Sequence, residues 1–113
     1  MAQKLYKPLL IDSIKAQIDL PKQRFVGFDG NLCGVNKKSL GVCDVETEKN
    51  QFAPVGVLGI LLVESGSTIT QGAKITSDAQ GRAIPVTASE EVNGYALDAA
   101  TVSGEIIRIA RGI

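Results

Sequence analysis

Asp44, Glu46 and Glu48 alternate along one short stretch, and they are the residues of this chain best placed for acid–base work. Paired carboxylates hydrolyse a glycosidic bond when they face each other across a cleft. These three follow one another where a strand runs out into a loop, which reads as solvated charge. Glu90 and Glu91 are adjacent and read as a helix N-terminal turn or a plain polar loop. The chain has no histidine, the side chain that most often moves protons near neutral pH. That excludes Ser-His-Asp and Cys-His nucleophiles. Cys33 and Cys43 are the only cysteines. Their spacing fits no zinc pattern, and no histidine exists to complete one. They read as reduced thiols, because Met1 to Pro8 lacks the apolar core and cleavage site of a secretory leader.

Other chemistry is equally poorly served. Asp78-Ala79-Gln80-Gly81 lacks the spaced oxygen ligands of a calcium loop. Gly27, Gly30 and Gly34 are spread over a strand and a turn, with no helix after them to bind phosphate. Lys74 sits inside an expected strand, not at the hairpin tip that a biotin- or lipoate-carrying lysine needs. The aromatics are two tyrosines and three phenylalanines, too few for a sheet that stacks bases. Phe25, Phe28 and Phe52 lie in apolar runs and are expected in the core. Tyr6 either anchors an interface or caps the core edge. The residues thus describe no enzyme, no metal and no cofactor, but a protein that works by its surface.

The elements that must build that surface are strands. At 113 residues the chain makes one domain that buries roughly 65% of its unfolded surface. Apolar content of 44% and charge of 21% are ordinary for a folded protein, so a core is expected. Twelve basic and twelve acidic residues cancel, leaving no global field for nucleic acid or anionic membrane. The longest apolar run, Val55 to Val63, is too short to span a bilayer and suits a buried strand. Strands are expected over Gln23–Phe28, Leu32–Val35, Leu40–Val45, Phe52–Val63, Ala73–Ser77, Arg82–Val86, Val92–Leu97 and Glu105–Ala110. Asp29-Gly30 and Asp78–Gly81 mark hairpin turns. Asn93-Gly94 reads as a bulge or a close backbone approach. The fold class is mainly β: a small barrel- or sandwich-like domain with short turns and at most one short helix.

Residues 1–22 read as an N-terminal arm and 23–113 as the β domain. Ile11, Ile14 and Ile18 fit a helical face, but their β-branching favours an extended chain. Pro8 and Pro21 bracket the segment and bias it the same way. Residues 1–24 carry Lys4, Lys7, Lys15, Lys22 and Arg24 against Asp12 and Asp19. That excess is either a solvated face or a contact for an acidic partner. Removing residues 1–20 is expected to leave the β domain folded. A faint repeat also shows: Leu20, Val26 and Asp29 align with Ile69, Ile75 and Asp78 at an offset of 49 (69−20). It suggests two similar β units, 18–63 and 64–113.

The phrases Arg24–Gly30, Leu40-Gly41-Val42, Val63–Gly66, Ser77–Ala83 and Gly94–Leu97, in that order, resemble the capsid cement, or head decoration, proteins of tailed bacteriophages. The resemblance runs over residues 8–110. It implies a small β-rich subunit, often trimeric, that binds the outer face of the capsid and cements neighbouring major capsid subunits around packaged DNA. It implies no cofactor, no direct nucleic-acid contact and no membrane. It also implies a virion protein made in the host cytoplasm, with an arm that reaches over a neighbour. By position, Leu5, Tyr6, Lys7, Leu9, Leu10, Ile11 and Ile14 are the expected interface residues. The competing reading is a β-rich tail-associated or receptor-binding module.

Overall fold

The computed structural model describes residues 7–113. Eight strands follow in chain order: β1 Lys7–Lys15, β2 Phe25–Val26, β3 Gly41–Cys43, β4 Phe52–Glu64, β5 Lys74–Ser77, β6 Ala83–Pro85, β7 Gly94–Ala96 and β8 Ile106–Arg111. They form one sheet in the order β2-β3-β4-β8-β7-β5-β6, with β1 also pairing β4. All pairings between these strands are antiparallel. No helix occurs among the described residues. At Thr87–Glu91 the Glu90 carboxylate instead accepts the Thr87 and Ala88 N–H groups and the Thr87 hydroxyl, tying a bend.

β4 is the hub. Its first part pairs with β1 and, at Val55 and Gly56, with β3; its second part, Gly59 to Glu64, pairs with β8. The apolar run read from sequence explains this, since both edges and much of both faces of the strand are covered. With no helix to cover it, the sheet must curl over its own apolar faces. One cluster gathers Phe25, Val42, Leu61, Val63, Ile75, Ile107 and Ile109, among others. The other gathers Ala16, Leu20, Val26, Cys43, Ala53 and Val55. Adjacent residues feed different clusters: Phe25 and Val26 part company, as do Val42 and Cys43. Strand alternation requires this when both faces of a strand are buried.

Only one of the three phenylalanines is core. Phe25 is fully buried, whereas Phe28 and Phe52 are each 68% exposed. Phe28 leads into the Asp29 turn, and Phe52 opens β4 opposite Lys15. Both sit at an element's end, where apolar neighbours in sequence are not neighbours in space. Ala16 and Leu20, which a division at residue 22 assigns to the arm, are fully buried in the second cluster. Leu20 exchanges two backbone hydrogen bonds with Thr47. Removing residues 1–20 therefore removes two core side chains.

The hydrogen-bond pattern of the first half recurs in the second. Leu20 and Thr47 exchange two bonds, and so do Ile69 and Ala100. Gln23 N–H donates to the Cys43 carbonyl at 2.7 Å, and Gly72 N–H to the Ala96 carbonyl at 2.7 Å. Leu40 N–H meets the Val26 carbonyl, and Asn93 N–H the Ile75 carbonyl. Each pair is related by a shift of 49 on one side (69−20) and 53 on the other (100−47).

Candidate functional site

Of the residues with chemical potential, Glu46 and Glu48 share a shallow surface pocket with Asp19 and Thr47, and the others lie apart from it. Glu46 and Glu48 are exposed, and Asp44 is half-buried, with burial pushing its carboxyl above the ordinary value. Glu90 is held down at about 2, first by its own backbone N–H and then by Thr87 and Ala88. Asp29 is lowered mainly by the Asn31 N–H. Both Cys33 and Cys43 are unbridged and buried, and burial pushes both thiols up. Cys33 Sγ donates to the Lys37 carbonyl and Cys43 Sγ to the Val45 carbonyl. Such thiols are packing residues with little thiolate character. Among the described residues no group of three or more His, Cys, Asp or Glu is placed to hold a metal. No helix there is long and apolar enough to cross a membrane.

The surface around β1 is different. Leu9, Leu10 and Ile11 are 84%, 48% and 49% exposed, three consecutive large aliphatics on one strand. Lys7 is also exposed, while Ile14 is half-buried and packs against the second cluster. Leu5 and Tyr6 lie outside the described residues. Burying one such aliphatic side chain is worth roughly 1.5–3 kcal/mol, so leaving three in water is a standing cost. β1 pairs only with β4 among the described strands, so its other edge is open.

β1 and the end of β8 flank a groove of about 380 Å³ whose lining includes Leu9, Leu58, Ile60 and Ile113. Its charged lining residues are Lys7 and Arg111. Sequence reading missed this half of the surface. Leu58 and Ile60 belong to a continuous apolar run that gives no sign of which face is wet. Arg111 lies one residue past the last expected strand, with no motif to mark it.

Arg111 instead knits the molecule together. Its Nε donates to the Val57 carbonyl at 2.7 Å, and Nη2 donates to the Ser39 and Leu40 carbonyls at 2.6 and 3.1 Å. Nη1 donates to Ser39 Oγ and the Asn93 carbonyl, both at 2.9 Å. Asn93 is fully buried; its Oδ1 accepts the Ser39 N–H at 2.7 Å and its Nδ2 donates to the Lys37 carbonyl. This network pins the turn before β3, the start of β7 and the end of β8 to β4, which fixes one wall of the groove.

The two Asp/Gly turns also meet. Phe25 N–H donates to the Gly81 carbonyl at 2.7 Å, and Arg24 reaches the Gln80 carbonyl. Arg24 and Arg82 both approach Glu64, at 3.4 and 3.8 Å, and Arg82 also faces Asp78. Asp78 Oδ1 accepts the Gln80 and Arg82 N–H groups at 2.8 and 2.9 Å. These charges are spent on scaffold.

The geometry therefore offers a β body with an exposed apolar edge strand. A family model described as phage cement protein matches residues 8–111. No curated protein matches the chain. Among solved structures, the head fiber gp8.5 N base of bacteriophage phi29 is similar at a TM-score of 0.77 and 20% identity, covering 91% of this chain and 93% of that one.

Proposed function

The chain belongs to the phage cement protein family, and from that premise we propose that it binds the outer capsid surface and cements neighbouring major capsid subunits. The coarse role, a structural protein associated with the phage capsid, follows from the family. The finer role rests on one observation: a folded β body that leaves Leu9, Leu10 and Ile11 in water on an open-edged strand. A monomer gains nothing from that arrangement, whereas a partner surface would bury it. A lattice offers many copies of one site, so modest contacts multiply once a subunit engages several neighbours. We take the working form to be a homotrimer, made in the host cytoplasm and resident on the capsid exterior. It binds no nucleic acid or membrane directly and carries no catalytic activity.

Copy number tests this. Heads purified from infected cells should carry the chain in hundreds of copies, in fixed ratio to the major capsid protein. A second reading, a β-rich tail-associated, receptor-binding or fiber-base module, draws on the fold shared with a head fiber base. It predicts a few copies to a few tens, attached to a further protein.

A further inference from the structure

The groove beside β1 is open, apolar and positively charged, and its occupant can be narrowed by chemistry. Its charged lining residues are Lys7 and Arg111. A second copy laid on the same patch by a twofold axis would bring the Lys7 and Arg111 of both copies into one interface. Such isologous contact is disfavoured by like charge. The β1 edge also resists strand addition. Pro54 turns its carbonyl to the N–H of Asp44, the residue after β3, so Ser13, opposite Pro54, turns its own N–H away from β4. Asp12 Oδ1 already accepts that outward N–H at 2.8 Å. Pro8 has no N–H to give. A proline, two lysines and a capped amide are the devices by which an exposed strand avoids pairing edge to edge. The side chains of β1 are thus offered while its backbone is guarded.

Building on the capsid-binding reading, we propose that this groove seats an apolar segment of the major capsid protein whose carboxylates flank its apolar residues. The apolar side chains fill the space between Leu9, Leu58, Ile60 and Ile113. The carboxylates lie near Lys7 and the field of Arg111, whose donors are already taken by main-chain and side-chain oxygens. Attraction here is long-range and screened, so attachment weakens as salt rises.

The test is co-sedimentation of the purified chain with capsids that lack it, at two salt concentrations. Leu9→Glu and Lys7→Glu change exposed residues and should keep the wild-type melting temperature. Val102→Glu, at a 59% exposed residue outside the groove, is the control. Both groove variants should lose about tenfold or more in affinity, with the control unchanged. If the wild type binds and the groove variants bind equally well, the groove assignment falls while the capsid reading stands. If the wild type does not bind, the capsid reading falls and takes this with it. If Leu9→Glu instead breaks up an oligomer of the free chain, the occupant is a second copy and the proposal is overturned.

Discussion

Arg111 shows how a single side chain sets the shape of a surface groove. Burial lowers its pKa, yet all five of its donor hydrogens have acceptors within reach. Replacing it by Met leaves Val57, Ser39, Leu40 and Asn93 oxygens short of donors. Urea denaturation of Arg111→Met should show a loss of about 2–4 kcal/mol. A loss near zero would mean water replaces the guanidinium freely. Asp44 is the opposite case. Its folded pKa is raised by burial, so the ionised form carries a desolvation cost above the unfolded value. Asp44→Asn should raise the melting temperature at pH 7, and the gain should vanish at pH low enough to protonate the carboxyl. Glu90 has a depressed folded pKa of about 2 against 4.5. Its contribution is full above the unfolded value and is lost as pH falls from there through the folded one. Glu90→Gln should therefore flatten the acid limb of the stability profile between those values.

At the scale of elements, the strands were legible because their signals are local. The Asp29-Gly30 and Asp78–Gly81 turns cap themselves with their own aspartates, and seven of the eight strands lie within a residue or two of the expected runs, whereas the expected strand Leu32–Val35 forms only an isolated bridge from Leu32 to Val26. Paired backbone bonds also recur at the 49-residue offset. Depth was not legible. Nothing in an apolar run distinguishes Phe25, inside, from Phe28 and Phe52, outside, because burial depends on what crosses above. Ala16 gave no signal for the same reason, and Leu20 gave one only through the repeat: their partners Gln51 and Thr47 lie far along the chain. The expected arm therefore splits. Removing residues 1–20 should unfold or strongly destabilise the chain, as circular dichroism melting will report, and retention of a wild-type melt would return residues 16–20 to the arm. The close seam between the two turns makes another prediction. Gly81 has φ +73°, and a Cβ there would sit 2.7 Å from the Phe25 carbonyl. Gly81→Ala should cost more than about 1 kcal/mol, measured by the same melt.

At the scale of the whole molecule, the chain is a β body in which Arg24, Glu64, Asp78 and Arg82 tie the scaffold together and whose exposed apolar residues include three in a row on one strand. The sheet closes over two cores, so rigidity is available at small size without disulfides among the described residues. The carboxylates of Asp19, Glu46 and Glu48 line one shallow pocket with Thr47, and among the described residues no group of three or more His, Cys, Asp or Glu is placed to hold a metal. The proposed role is adhesion, repeated at every lattice site. Adhesion of that kind acts on the stability of the assembly, and the assembly is where it must be measured. The direct measurement is the temperature at which DNA escapes from filled heads in low salt, with and without this chain and after adding it back. Heads lacking the chain should release DNA at a lower temperature, and the purified chain should restore the original one. Identical release temperatures, with the chain bound at full occupancy, would contradict cementing and leave only decoration.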